Sequence, residues 1–359
     1  MNIFISAGDA SGDIHAASLV GALKKAGANI HVTALGGEHL KKAADEFLYN
    51  LVELGGFGFW QPLKLYFKLK KVLTDIAVRY FDTAKPDKVV IVDYYGFNIH
   101  IAKEASRRNI PVYYYISPQV WATRPGRVKT IAKYVKKMLV VLPFEEKIYA
   151  DGGLEAVFVG NPLIDMVPEP ENRLCGPGQR VTIGLFPGSR PNVFGRHIGL
   201  LMEAAGLISS GIEADFKIFC VPALADKCKG LPYPCVVEND YAERKTITLA
   251  ITPSGTVSTE NALLGIPMVV YYRLSGFNYA IAKLLANVKY VTMVNILLGR
   301  RLVPELLQKE ATPENIAGTA LSLLKDKQQL ASVKEELLGI RGRLGRPGVA
   351  VRAAGIILS

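Results

Sequence analysis

The sequence predicts an α/β protein built of two Rossmann-like halves. Three observations predict it. Short β-branched or aromatic runs alternate with helix-period stretches along nearly the whole chain. The runs end in Gly, Asp, Ser or Pro, as strands do where they meet turns. The alternation breaks once, then starts again.

Residues 2–7 read as a strand, followed by a Gly-rich turn and a helix from about Ile14 to Ala26. Residues 30–35 repeat the strand and end at Gly36 and Gly37. KVVIVD (88–93), VYYYIS (112–117) and KMLVVLP (137–143) are further strands. Continuous apolar strands between helices imply a parallel sheet covered on both faces. The break is PEPENRLCGPGQR, residues 168–180, which reads as an inter-domain linker. VTIGLFPGSR (181–190), FKIFCVP (216–222), TLAITPSG (248–255) and MVVYY (268–272) then rebuild the pattern. The expected domains are residues 1–167 and 181–340. Residues 341–359 are expected to form a C-terminal helix that packs back on an N-terminal domain. A cleft between two such halves is the expected place for a ligand.

A length of 359 residues suits two domains, each able to bury a core. Half the residues are apolar, yet no run approaches the ~20 needed to cross a bilayer. The N-terminus enters a strand directly, so no signal peptide is expected and the location reads as cytoplasmic. Cys175, Cys220, Cys228 and Cys235 make no CxxC pair and have no His at zinc spacing. They read as ordinary reduced thiols, with no metal expected. A net charge of +11 points to an anionic partner: nucleic acid, anionic lipid or a phosphorylated substrate.

Five loops can carry chemistry. AGDASGD (7–13) follows a strand and opens a helix. It can bind an anion, or Ser11 and Asp13 can merely cap the helix. It is not the GxGxxG fingerprint, which disfavours a dinucleotide. In VDYYGFN (92–98), Asp93 emerges from a buried strand. It can serve as a general base, or bind a neighbouring amide. In ISPQVWATRPGRVK (116–129), Arg124, Arg127 and Lys129 can hold phosphate or form a solvated face. In LFPGSR (185–190), Gly188, Ser189 and Arg190 suit a diphosphate. Ser254, Gly255 and Thr256 form another strand-to-helix anion cup, with Glu260 one turn inward to reach a ribose diol. The S/T-x-x-E capping box fails there, because Thr259 stands where the acid would be.

AGDASGD, DYYGFN, YISPQVWA, LPFE, FVGNPL, LFPGSR, SGTVSTENALLGIPMVVYY and VNILLGRRLVPELLQ form an ordered series. In that order they resemble the lipid-A-disaccharide synthases over nearly the whole chain. The resemblance implies the GT-B glycosyltransferase fold. It implies an inverting transfer from UDP-2,3-diacylglucosamine to 2,3-diacylglucosamine 1-phosphate (lipid X). The products are a β-1,6 disaccharide 1-phosphate and UDP, with no cofactor. Arg190, Ser254, Gly255, Thr256 and Glu260 fall on the donor-binding motifs, with Gly188 and Ser189 beside them. Asn295 and Gln308 fall on cleft residues. Asp9 and Ser11 fall on the first Gly-rich loop, and Asn98, Arg124 and Arg127 on the acceptor side. Many members carry D-x-P-D-F-N with an essential second Asp. Here that position is Gly96 and the preceding Pro is Tyr95. The expected base therefore moves to Asp93, with Asp9 and the more deeply placed Asp87 behind it. The alternatives are another GT-B enzyme, a UDP-N-acetylglucosamine epimerase or N-acetylglucosamine transferase, or a member that binds substrate without turnover.

Acylated substrates require work at a bilayer surface. Residues 60–81 carry five basic residues and one acid. Leu65, Leu69, Leu73, Ile76 and Tyr80 recur at helical spacing beside Lys64, Lys68 and Lys71. Trp60, Leu65, Lys68, Leu69 and Lys71 are the expected membrane contacts, on an anionic inner-membrane surface. No nucleic acid is expected, and the chain reads as a monomer or homodimer.

Overall fold

The computed structural model describes residues 1–359 apart from 28, 57–61, 171–179, 239 and 274–287. Trp60 and most of the expected linker lie outside the described residues. The chain divides into two units, Met1–Asp165 with Leu344–Ser359, and Met166–Arg343.

The first unit is built on β1 (Asn2–Ala7), β2 (His31–Gly36), β3 (Glu46–Asn50), β4 (Lys88–Val92), β5 (Val112–Tyr115), β6 (Lys137–Val140) and β7 (Ala156–Phe158). They form one parallel sheet in the order β3-β2-β1-β4-β5-β6-β7. Ile3, Phe4, Ile5 and all of Val89–Val92 are fully buried, as a sheet covered on both faces requires. Parallel strands need crossovers, and helices supply them. These are α1 (Ala10–Ala26), α2 (Glu38–Ala43), α3 (Pro62–Lys71), α4 (Arg79–Ala84), α5 (Tyr95–Ser106), α6 (Val120–Thr123), α7 (Arg127–Ile131), α8 (Glu145–Asp151) and α9 (Leu163–Met166).

The second unit repeats the plan with β8 (Val181–Leu185), β9 (Ala214–Cys220), β10 (Cys235–Val237), β11 (Leu249–Pro253), β12 (Met268–Tyr272) and β13 (Glu305–Leu307). Their order is β10-β9-β8-β11-β12-β13, again all parallel. Helices α10 (Pro191–Ser209) and α11 (Thr256–Leu263) follow β8 and β11.

Among the described residues, the nine strands expected from sequence are the nine inner strands. The four that were not expected, β3, β7, β10 and β13, are the outer strands of the two sheets. These outer strands are only partly buried, so they lack the continuous apolar run that marks an inner one.

The stripe Leu65, Leu69, Leu73, Ile76 and Tyr80 packs on the core of the first unit. That corrects the expectation that Leu65 and Leu69 meet the membrane. A periodic apolar face on a helix beside a sheet is the face the sheet buries. Tyr66 and Phe67 are instead 58% exposed, among exposed Lys68, Lys70 and Lys71.

The C-terminal helix, Val349–Leu358, packs against α1 of its own chain. Its buried face is Val349, Ala350, Ala353, Ala354 and Ile357. Both ends are held electrostatically. The Asp165 carboxylate accepts from the amides of Gly348 at 2.6 Å and Val349 at 2.8 Å. The Lys88 ammonium donates to the carbonyl of Ile357. An anion at the N-terminus and a cation at the C-terminus both complement the helix dipole. Asp165→Ala removes the first of these and is expected to cost about 1–2 kcal/mol. A lowered urea midpoint reports that loss; an unchanged midpoint would show that Asp165 does not hold the helix.

Candidate active site

Ligands of open parallel sheets bind beyond the carboxyl ends, where the strand order reverses. In the first sheet the reversal lies between β1 and β4, and in the second between β8 and β11. The loops leaving those four strands carry Asp9, Asp93, Gly188–Arg190 and Ser254–Thr256.

In the first unit, Ala7 pairs with Val92, so Gly8 and Asp93 leave the sheet side by side. A Cβ on Gly8 would lie about 2 Å from the Tyr94 ring, so the glycine is what admits that ring. Asp93 and Tyr94 both hold left-handed backbones, φ 41° and 46°, and Ile116 beside them has φ 60°. Such conformations cost about 1–3 kcal/mol each and collect at functional sites.

Asn98 holds this corner in place. Its Nδ2 donates to the carbonyls of Val92 and Asp93, both at 2.9 Å, and of Ser6 at 3.3 Å. Its Oδ1 accepts from the Ser6 hydroxyl at 2.7 Å. Asn98 is fully buried, and its amide donors are spent on backbone carbonyls, which corrects its expected place as an acceptor contact. The Tyr114 hydroxyl adds a second donor to the Asp93 carbonyl, at 2.8 Å.

The partly buried Asp93 carboxyl is pushed up to about 6. Burial is the main cause and the Asp9 charge the second, with the Tyr94 amide opposing both. Asp9 caps α1, accepting from the Gly12 amide at 2.8 Å, with the exposed Ser11 hydroxyl 3.4 Å away. Asp13 caps a different helix: it accepts from Gly37, His39 and Leu40 at the start of α2. Asp87 is corrected. It is exposed, binds the Asn2 amide at 2.6 Å, and sits at the opposite end of β4. Six residue steps along the strand separate it from Asp93 by roughly 20 Å.

Arg127 stacks on the Tyr95 ring, 4.1 Å from its centroid. Its neighbouring charged or ionisable groups are Arg124, Tyr95 and Tyr114; burial and the second arginine hold its pKa below the ordinary value. The Arg124 charge acts on Arg127, and two guanidinium groups in reach of each other are chemically able to share an anion. Their loop hangs on Glu145, which sequence reading missed. The buried Glu145 carboxylate accepts from the Ser117 hydroxyl at 2.7 Å, the Trp121 indole at 3.0 Å and the Leu142 amide at 3.1 Å.

In the second unit, Arg190 is the exposed N-cap residue of α10, with Pro191 in the first turn. Gly188 has φ 104°, outside the range most side chains tolerate. The Pro187 carbonyl lies 3.2 Å from His197 Nδ1, and Tyr271 donates to the Phe186 carbonyl at 2.8 Å. At β11, Gly255 and Thr256 are exposed at the N-terminus of α11. The Ser254 hydroxyl donates to the Val291 carbonyl at 2.7 Å.

Glu260 is already oriented. It accepts from the Tyr241 hydroxyl at 3.1 Å and from Arg244 at 2.7 Å. Arg244 also pairs with Glu238 and lies over the Phe186 and Tyr241 rings. Each Glu260 oxygen keeps a lone pair for a ligand hydroxyl. Asn295 is corrected: it is fully buried. Its amide donates to Val303 O and Glu305, and its carbonyl accepts from the amides of Leu302 and Val303. It shapes the turn before β13. Gln308, with φ 52°, lies at the carboxyl end of that strand.

Folding raises the Asp93 pKa above its unfolded value of 3.8. Its favourable contribution is therefore complete below that value and is lost as pH rises through about 6. Asp93→Asn is expected to stabilise the fold by about 1–3 kcal/mol at pH 8 and little at pH 4. Thermal melts at the two pH values read the difference; equal shifts would show that Asp93 is not strained by its charge.

The model of the lipid-A-disaccharide synthetase family matches residues 3–342. The lipid-A-disaccharide synthase of Syntrophus aciditrophicus is 35% identical across 99% of this chain and 97% of its own length. That of Geobacter metallireducens is 36% identical across 99% and 96%. Among solved structures, Staphylococcus aureus MnaA with UDP superposes with a TM-score of 0.66 at 14% identity, covering 99% of this chain and 95% of its own. Acinetobacter baumannii MurG gives 0.63 at 14%, covering 99% of both chains. At such identities they share the fold, which is the GT-B arrangement. With its family model spanning both sheets and its relatives matched end to end, the chain belongs to the lipid-A-disaccharide synthetase family.

Proposed function

We propose that this glycosyltransferase of lipid A biosynthesis moves a diacylglucosaminyl group from UDP to the 6-hydroxyl of 2,3-diacylglucosamine 1-phosphate. The reaction comes with the family. The roles of the residues are our reading of the geometry.

One observation carries the choice of base: Asp93, at the reversal of the first sheet, is held at about 6. A base with that pKa is ionised at neutral pH yet still accepts a proton as bonding changes. Asp93 takes the acceptor hydroxyl proton while that oxygen attacks the anomeric carbon. The bond from that carbon to the diphosphate breaks and UDP departs with the electron pair. Asp9 acts as a positioning residue whose charge helps keep the Asp93 pKa high. Arg124 and Arg127 receive the acceptor phosphate. In the second unit the first-turn amides of α10 and α11, with Arg190, take the diphosphate charge that develops as UDP leaves. Glu260 takes the ribose diol, and Gln308 the donor sugar.

Formation of disaccharide from the two acyl-sugar substrates tests the reading. Asp93→Asn is expected to lower kcat by at least 100-fold, and the wild-type rate to rise with pH through about 6. A folded protein that binds UDP but forms no product would sink the activity. Near-wild-type turnover by Asp93→Asn would clear Asp93.

Membrane contact is assigned to the exposed aromatic and basic face of α3. Among the described residues no helix is long and apolar enough to cross a membrane. Tyr66 and Phe67 meet edge to face, 5.7 Å apart, with exposed Lys68, Lys70 and Lys71 following. Aromatic rings beside lysines suit an anionic surface, each lysine contributing about 1 kcal/mol. Flotation with anionic vesicles should fall about tenfold or more in Phe67→Ser with Lys68, Lys70 and Lys71 changed to Glu. Unchanged flotation of that variant would remove this face from consideration.

A further inference from the structure

Three cysteines from three successive elements, within sixteen residues of sequence, converge at one edge of the second sheet. Cys220 ends β9, Cys228 ends the 3₁₀ segment Pro222–Cys228, and Cys235 begins β10. Their sulfurs all lie within 4.8 Å of one another. The Cys220 and Cys235 sulfurs are 3.2 Å apart. We propose that Cys220, Cys228 and Cys235 form a thiolate site for zinc that staples β10 to the sheet.

Geometry separates this from a disulfide. The parallel register sets Cys235 opposite Ile218 and Val237 opposite Cys220. Cys220 and Cys235 are thus diagonal neighbours, two residues out of step. A strand spacing of ~4.8 Å and a rise of ~3.3 Å per residue put their Cα atoms about 8 Å apart. Disulfides need Cα separations below about 7 Å. A metal ion spans the longer gap. Zn–S bonds of ~2.3 Å in a tetrahedral arrangement place sulfurs ~3.8 Å apart, inside the range found here.

The donor set selects the metal class. Three sulfurs, with no carboxylate or imidazole grouped with them among the described residues, favour a soft, thiophilic ion. Cys220 and Cys228 are buried, whereas Cys235 is exposed, so solvent can complete the fourth position. The absence of a CxxC pair is no obstacle, because each sulfur comes from a different element.

The staple has something to hold. β10 is an outer strand of three residues. Glu238 follows it directly and pairs with Arg244, which pairs with Glu260. Fixing β10 therefore fixes the chain of charges that orients Glu260.

The test uses the full chain, reduced and stripped of metal. Cobalt(II) titration should give one ion per chain, with thiolate-to-cobalt charge-transfer absorption and tetrahedral visible bands that one equivalent of zinc abolishes. Cys228→Ser and, at the exposed position, Cys235→Ser should each weaken cobalt binding about tenfold or more. Zinc should slow amide exchange across residues 235–246 in the wild type but not in Cys235→Ser. Absence of the charge-transfer band would overturn the proposal, as would its persistence in both variants. A Cys220–Cys235 disulfide in the isolated protein, with no cobalt uptake after reduction, would also overturn it.

Discussion

The pairing of Ala7 with Val92 is the contact on which the first unit's chemistry depends. Parallel strands cannot return through hairpins, so each runs out at the same edge and its crossover helix starts there. With β1 and β4 in this register, Gly8 and Asp93 emerge together, each opening onto a helix N-terminus. The bare Cα of Gly8 leaves room for the Tyr94 ring, and Asn98 ties the ends of both strands to one amide. Asp93 is thus set by the sheet rather than by a loop that can relax.

Setting a carboxylate this way has an electrostatic consequence. Burial and the Asp9 charge both disfavour ionisation, and only the Tyr94 amide opposes them. The second unit surrounds its carboxylate differently. Arg244, buried between Glu238 and Glu260, pairs with both. One carboxyl is kept without a cation and is ready to take a proton. The other is held by a cation and a phenol and is ready to accept hydrogen bonds. Asp93 and Glu260 have similar chemistry in isolation, and the groups packed against them give them different work.

The inner strands were legible because burial on both faces writes a continuous apolar run into the sequence. So were the four loops at the two reversals, because a strand ending in Gly, Ser or Asp before a helix is a local pattern. Strand order is not local, so only the folded sheets show that AGDASGD and VDYYGFN belong to one corner. Asn98 and Asn295 were read as ligand contacts because a polar residue inside a motif looks the same whether it faces a ligand or a carbonyl. Both satisfy buried backbone instead. Asp87 failed for a simpler reason: two acids near one strand sit at opposite ends of it. In α3, periodicity found the apolar face correctly. That face belongs to the core, and the exposed aromatic pair Tyr66 and Phe67 breaks the period.

The departure at Gly96 now has a physical reading. Gly96 lies in the first turn of α5, and a Cβ there would meet nothing within 4 Å. An acid is therefore sterically permitted at that position, and its absence here is not forced by packing. The two positions favour different protonation behaviour. A carboxylate in a first turn sits in the positive end of the helix dipole, which favours the ionised form and makes it a weaker base. Asp93 precedes the cap residue Tyr94 and is partly buried beside Asp9, which raises its pKa to about 6. On the proposed mechanism, a base at the strand end rather than in the helix turn exchanges exposure and dipole stabilisation for burial and like-charge repulsion. The strand-end carboxylate gains proton affinity near neutral pH, and the left-handed backbones at Asp93 and Tyr94 are the conformational cost of holding it there.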